Sequence, residues 1–307
     1  MSEEGFGVEI LYTHFLLPFP SQTRTHAIFF LSSLVPTNSM KLTIVGSGGA
    51  IPTPKPFCQC PICEKARKEG EPYKRNSSAL FVNDIFTLID CGEDIGDSLN
   101  RRNIKRVDNL FITHWHPDHT YGLRPLMEAY FDFFEGKPEK SVKVYLPAKV
   151  LEDLKQHYPS ISYFIDGLRV ATLGVIEHEK SVRFGNIKVT AVGFNGEGSS
   201  VFAYLLEEKN KRVLYAPCDT IHFEQKVFNL DLLITECGLF SYEKIKSEIS
   251  FPAMMKNIEL LKPKRTILTH IEGDEINTWG WNYLNKMKEQ YADVDFDFAY
   301  DGMEIEV

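Results

Sequence analysis

The residues best able to do chemistry in this 307-residue chain are crowded into His114-Trp115-His116-Pro117-Asp118-His119. Three imidazoles and one carboxylate fall within six positions. Side chains at alternate positions of an extended backbone point the same way, so His114 and His116 can grip one ion. Pro117 keeps His116 out of helical geometry and so holds that stretch extended. Asp118 and His119 follow at a helix entrance and face another direction, toward a second ion. Imidazole together with carboxylate suits zinc, manganese or iron better than magnesium or calcium. A second group, Cys58-Gln59-Cys60-Pro61-Ile62-Cys63, places three thiols within one turn. That spacing suits tetrahedral zinc and would strain as a disulfide. Cys91, Cys218 and Cys237 follow separate apolar strands, so the six cysteines do not read as a disulfide framework.

Elements must hold these groups in place. The apolar run 110–113 predicts a buried strand ending where the histidine cluster begins. Leu123, Leu126, Met127, Tyr130, Phe131 and Phe134 recur at helical spacing, so a helix is expected over 120–134. The cluster is then a strand-to-helix loop, where rigid elements present functional side chains. Further strands are expected at 41–45, 76–82, 85–89, 142–146, 168–173, 182–184, 187–194, 213–216, 232–236 and 266–269, with helices at 149–158 and 251–261. This alternation on both sides of position 180 fits two αβ halves packed sheet to sheet. The glycine turn Gly46-Ser47-Gly48-Gly49 does not read as a nucleotide loop. Its pattern fails at Ile51, and Pro52-Thr53-Pro54 follows where a helix should start.

Composition sets outer bounds. The chain is 43% hydrophobic and 25% charged, with a net charge of −8. That balance argues against nucleic acid gripped along its backbone, which needs clustered Lys and Arg. It leaves a small phosphate ester open, because metal ions supply local positive charge. No apolar run reaches the length of a membrane span, so no membrane partner and a cytoplasmic location are expected. Residues 1–39 are apolar, aromatic and poor in charge, and read as an extension ahead of a domain at 40–307. Their apolar side chains are candidates for a homodimer contact.

The segment His114-Trp-His-Pro-Asp-His119 resembles the metal-binding signature of the metallo-β-lactamase fold, and the resemblance extends over roughly Met40 to Val307. It implies an α+β protein: a four-layer αββα sandwich, two mixed sheets flanked by helices, with two divalent metals (zinc or manganese) at one edge. In that family Asp118, His119 and His270 would hold one metal, His114 and His116 the other, and Asp219, after Pro217-Cys218, would bridge them. Asp90, in Asp90-Cys91-Gly92, would orient the histidine loop, with Glu236 as a further supporting carboxylate. Phe57-Cys-Gln-Cys-Pro-Ile-Cys63 is similar to the structural-zinc segment of the cyclic phosphodiesterase that accompanies the carbon–phosphorus lyase pathway, and to one in the pyrroloquinoline quinone pathway B protein. The ending, 298–306, resembles the terminal hairpin of the same phosphodiesterases.

Three departures accompany the resemblance. The family's histidine in the loop Phe194–Ser200 is missing, with Glu197 the nearest substitute. The histidine that closes the cysteine site is replaced by Gly273, leaving Glu272 or Asp274 as candidate oxygen ligands. The general-acid histidine is also absent, and Glu248 is the candidate proton donor, with Asp118 the other residue expected to take part in catalysis. The expectation is a metal-dependent hydrolase acting on small phosphodiesters, cyclic ones included. The alternatives are a non-hydrolytic metal- and metabolite-binding protein of the same fold, and a nuclease of the tRNA 3′-processing type.

Overall fold

The computed structural model describes residues 39–224, 227–240 and 249–307; Glu248 and nearly all of the 1–39 extension lie outside the described residues. The first sheet is built from β1 (Lys41–Gly46), β2 (Ala79–Val82), β3 (Thr87–Ile89) and β4 (Asn109–Phe111). A two-residue ribbon, β5 (Phe131–Asp132) with β6 (Lys137–Pro138), stands apart, and β7 (Val142–Leu146) and β8 (Ala171–Val175) complete that sheet. The second sheet takes β9 (Ser181–Phe184), β10 (Ile187–Gly193), β11 (Phe202–Glu208), β12 (Lys211–Ala216), β13 (Leu232–Glu236), β14 (Thr266–Thr269) and β15 (Phe296–Phe298). The last strand, β16 (Glu304–Glu306), returns to the first sheet beside β1. Both sheets are mixed. In the first, β3, β4, β7 and β8 run parallel; in the second, β12 to β15 do.

The sheets face each other. Phe111 of β4 and Tyr204 of β11 pack edge to face with ring centroids 5.0 Å apart, in one buried cluster that also holds Leu42, Leu80, Val144, Val189 and Ile234. The Tyr204 hydroxyl donates to the Ile112 carbonyl (2.7 Å), which gives the buried phenol the partner it requires. Helices cover the outer faces. The first sheet carries α2 (Ile95–Arg101), α4 (Leu123–Glu128) and α5 (Ala148–His157) through Ile95, Leu123 and Val150. The second carries α6 (Phe251–Leu261), α7 (Gly273–Trp279) and α8 (Trp281–Gln290) through Met254, Ile276 and Leu284. The architecture is the expected αββα sandwich.

Two local expectations give way. The helical pattern over 120–134 stops at Glu128, and Phe131 enters the β5–β6 ribbon with Phe133 and Phe134 exposed at its tip. Helical spacing there reflected apolar content, not a helix face that must be covered. The ending is not a hairpin either. β15 extends the second sheet from β14, and Asp301-Gly302 carries the chain across to β1. Buried Asp301 stitches this crossing: its carboxylate accepts from the Ser47 amide (2.9 Å), the Ser47 hydroxyl (2.7 Å) and the Asn76 amide (2.8 Å).

Candidate active site and metal centres

Parallel strands deliver their C-terminal ends to one edge of an open sheet, and both sheets do so here. β3 leads to Asp90, β4 leads through Ile112 and Thr113 to His114, β12 leads to Cys218 and Asp219, β13 ends in Glu236, and β14 leads to His270. Pro117 opens the short helix α3 (Pro117–Thr120), which turns Asp118 and His119 inward. Three of these strand ends, at Asp90, Asp219 and His270, have positive φ (65°, 57° and 53°). Asp and His tolerate this left-handed region better than most residues, and such strain gathers at functional sites. Local hydrogen bonds hold it in place. Glu236 accepts from the Thr220 amide and hydroxyl (2.5 Å each), and the His270 amide donates to Ser78 Oγ (3.0 Å).

Two groups of ligand atoms result. Atoms of Asp118, His119 and His270 lie within 4.8 Å of one another, as do atoms of His114, His116 and Asp219. Both groups meet at a cavity of about 420 Å³ that His116, Asp118, Asp219 and His270 line. Fully buried Asp90 organises the pair. One carboxylate oxygen accepts from the Thr113 amide (2.8 Å), and the other accepts from His119 Nδ1 (2.9 Å). The Thr113 hydroxyl donates to Asp90 and accepts from His114 Nδ1 (2.9 Å). Both imidazoles therefore spend their Nδ1–H on this network and turn Nε2 toward the cavity side.

The electrostatics follow from burial and neighbours. Burial and the nearby His119 and His116 hold the His114 imidazole well below its usual range. Burial also opposes charge on His119, but the Asp118 and Asp90 carboxylates on either side overcome it and raise it well above the usual value. His270 behaves alike: against burial, Asp118 and Glu272 push it up to about 10. Asp118 is held far below the ordinary carboxylate range, burial being outweighed by His119 and His270. The donor set fits divalent metal. His119 Nε2 is buried 3.1 Å from Asp118 Oδ2 yet makes no hydrogen bond, as expected of a lone pair reserved for an ion.

Glu197 does not join this site. It stands exposed on the 194–200 turn, and no atom of it belongs to either ligand group. The turn is self-contained: Phe194 is buried against Phe223, and Ser199 Oγ accepts from the Phe194 amide (3.1 Å) and donates to the Val201 carbonyl (2.7 Å). Cys218, which the sequence reading left among the apolar strand cysteines, does join: its sulfur groups with ring nitrogens of His114 and His119, all three residues buried. The sequence signal was its place directly before Asp219. Glu236 belongs to no ligand group; its carboxylate holds the turn that aims Asp219.

Cys58, Cys60 and Cys63 form a third group within 4.8 Å, at the start of α1 (Pro61–Glu69). Cys60 caps that helix, accepting from the Cys63 amide (3.4 Å), and the Lys55 amide points at Cys63 Sγ (3.3 Å). Arg67 staples the loop by donating to the carbonyls of Cys58 (2.6 Å) and Lys55 (3.0 Å). Neither proposed oxygen ligand joins the thiols. Glu272 accepts from the Ala50 amide (2.9 Å) and lies 3.6 Å from His270 Nδ1, so it serves the cavity. Asp274 pairs with Lys55 Nζ (3.2 Å). At Gly273 a Cβ would lie 2.3 Å from Thr53 Oγ1, so the backbone there has closed over the place of a longer side chain.

With two sheets, the strand-end histidine loop and the paired ligand groups in view, comparison with known proteins is specific. The β-lactamase superfamily domain matches residues 87–271, and the chain belongs to that superfamily. That fold and the ligand groups on the strand ends fit divalent metals. Among relatives, ribonuclease Z of Picrophilus torridus is 25% identical over 197 residues, 63% of this chain and 56% of that protein. The curated relatives it matches first are spanned over about a third to just over half of their length. Among solved structures, a diphosphatase from the PhnP family aligns with a TM-score of 0.65 at 20% identity, covering 88% of this chain and 97% of that one. Zinc-bound PqqB from Methylobacterium extorquens aligns at 0.69 and 15% identity, covering 87% and 100%. Among the described residues, no helix is long and apolar enough to cross a membrane.

Proposed function

We propose that this protein hydrolyses small phosphodiesters, cyclic ones included, with zinc or manganese at the paired ligand groups and zinc at the cysteine cluster. The observation that carries this reading is the cavity itself. Six of its lining residues are carboxylates (Asp118, Asp219, Glu236, Glu272, Asp274 and Glu275), and none is Lys or Arg among the described residues. Such a wall repels phosphate unless bound cations offset it, and the repulsion grows with each negative charge on the ligand. A phosphodiester carries one charge, a monoester about two near neutral pH, and a polynucleotide many. The least charged ester is therefore the best tolerated.

Bound divalent ions would activate water near neutral pH and draw charge from the phosphoryl oxygens. Asp118, His119 and His270 would hold one, His114 and His116 the other, and Asp219 would face both. Asp90 and Thr113 fix the tautomers of His114 and His119. Glu248 is the candidate proton donor to the leaving group, from a segment outside the described residues. The similarity to a PhnP-family diphosphatase and to PqqB is consistent with this reading.

A second reading, a tRNA 3′-processing nuclease, is favoured by the similarity to proteins named ribonuclease Z. The test compares bis-p-nitrophenyl phosphate and a 2′,3′-cyclic nucleotide with a tRNA precursor bearing a 3′ trailer, each with zinc and with manganese. Turnover of the small esters, lost in His116→Ala, supports the first reading. Trailer cleavage without small-ester turnover replaces it with the second.

A further inference from the structure

We propose that Glu272 is a positioning residue for His270: its carboxylate keeps the ring proton on Nδ1 and so leaves Nε2 for the ion, and Gly49 is glycine in order to seat that carboxylate. The inference rests on the two-ion reading above and names what aims the last of its ligands. Two rings share Asp118. His119 Nε2 lies 3.1 Å and His270 Nε2 3.3 Å from Asp118 Oδ2, and the rings stand nearly parallel, 7° apart in plane with centroids 5.7 Å apart. Each ring offers its other nitrogen to a second carboxylate. For His119 that carboxylate is Asp90, at 2.9 Å; for His270 it is Glu272, whose Oε1 lies 3.6 Å from Nδ1. Carboxylates in this place fix the tautomer and aim of a metal-binding imidazole. At 3.6 Å the attraction is one of charge rather than a full hydrogen bond, so Glu272 steers His270 less tightly than Asp90 steers His119.

The seat is built by the glycine turn after β1, which the site chemistry has otherwise left unused. Glu272 Oε1 accepts from the Ala50 amide (2.9 Å). The Gly49 amide donates to the Ile271 carbonyl (3.2 Å) and the Ile271 amide to the Ser47 carbonyl (3.0 Å), so the turn grips the chain directly after His270. Ser78 ties the same two pieces together, its hydroxyl donating to the Gly48 carbonyl (2.8 Å) and accepting from the His270 amide (3.0 Å). A Cβ on Gly49 would lie 1.9 Å from Glu272 Oε1 and 2.2 Å from its carboxyl carbon. Gly49 is not among the glycines with positive φ, so what the position demands is room, and the carboxylate is what fills it. This crowding is independent of His270, yet it fixes the same carboxylate.

Two substitutions act on this carboxylate in different ways. Glu272→Gln keeps the side-chain length and a carbonyl oxygen for the Ala50 amide, and removes only the charge. Gly49→Ala keeps Glu272 and evicts its carboxylate, because the new methyl meets the far end of a flexible side chain. Both reach His270 through one interaction, so their effects should not add.

The test uses the full chain, stripped with chelator and reloaded with zinc. Metal content is measured by elemental analysis, and affinity by competition with a chromophoric chelator. Nitrogen-15 spectra of the loaded protein follow water exchange of the His270 Nδ1–H, which a merely structural role for Glu272 would not move. The expected result in Glu272→Gln is about tenfold weaker binding of one ion, the low end for a supporting carboxylate, with the other ions unchanged and the Nδ1–H exchanging faster. Gly49→Ala should show the same loss, and the double variant no more than either alone. Zinc affinity in Glu272→Gln within about twofold of the natural chain, or unchanged Nδ1–H exchange, overturns the positioning role and leaves the two-ion reading intact. Losses that multiply in the double variant overturn the seat at Gly49. One zinc ion per natural chain overturns the two-ion reading itself. Should Glu272→Gln fail to fold, Gly49→Ala reads the same carboxylate.

Discussion

Replacing Asp90 by asparagine should weaken metal binding without undoing the fold, and the size of the loss can be worked from the hydrogen bonds. Asparagine suits the left-handed backbone at this position (φ 65°) as well as aspartate does, so the exchange adds no backbone strain. It keeps one oxygen to accept from the Thr113 amide. The other oxygen, which accepts from His119 Nδ1 at 2.9 Å, becomes an amide donor. Two donors then face each other in a fully buried place. The least costly relief moves the ring proton of His119 to Nε2, the atom that should carry the lone pair for metal. Loss of such a supporting carboxylate costs about 10–100-fold in metal affinity, which is about 1.4–2.7 kcal/mol. The assay is competition for zinc against a chromophoric chelator, with nitrogen chemical shifts of His119 reporting the tautomer. Chelator-treated protein is unfolded in parallel, so that a general stability loss is measured separately. If Asp90→Asn binds zinc within twofold of the natural chain and keeps the Nδ1–H tautomer, the carboxylate is not what organises the loop.

Three further outcomes follow from the same coordinates. In metal-free protein, His270 titrates near pH 10, above its unfolded value of about 6.5. The stability it adds is then fully present below pH 6.5 and lost as pH rises toward 10, so denaturation midpoints should fall across that window in chelator and flatten in His270→Ala. Buried Asp301 is opposite in kind: burial pushes its carboxyl up to about 6 despite the Ser47 and Asn76 hydrogen bonds, so the native state holds a proton that the unfolded chain releases near pH 4. Stability should decline as pH rises from about 4 to 6, and Asp301→Asn should reduce that slope in the same unfolding assay. Gly92→Ala should cost about 1–3 kcal/mol and loosen metal binding, since its Cβ would lie 2.4 Å from the Asp118 carbonyl oxygen; chemical denaturation and zinc competition measure the two effects.

How much of this was legible in the residues depends on what each residue must satisfy. Strands 142–146 and 266–269 and the helix 251–261 coincide with their expected ranges because each is an apolar segment that both neighbours bury. The histidine loop was legible because imidazoles and a carboxylate at that spacing have few other uses. Phe131 and Phe134 misled for the opposite reason: aromatic residues at helical intervals also fit a small ribbon, and Phe134 is left exposed. The crossing at Asp301-Gly302 was hidden because a hairpin and a sheet-to-sheet crossing have the same local pattern. Only the partners of Asp301, more than 200 residues away in sequence, tell them apart.

Cys218 was hidden for a deeper reason. A cysteine at a strand end reads as a small apolar residue, and burial does raise its thiol pKa well above normal in the absence of metal. Nothing local distinguishes it from Cys237, which is also buried, just after the adjacent strand, but belongs to no ligand group among the described residues. The difference is which strand end faces the histidine loop. β12 brings its terminus against His114 and His119, whereas the turn after β13 is occupied by Glu236 holding Thr220. Function here is set by sheet order, through the parallel run β12 to β14, as much as by residue type. A cysteine moved one strand over would keep its burial and lose its place beside the two histidines.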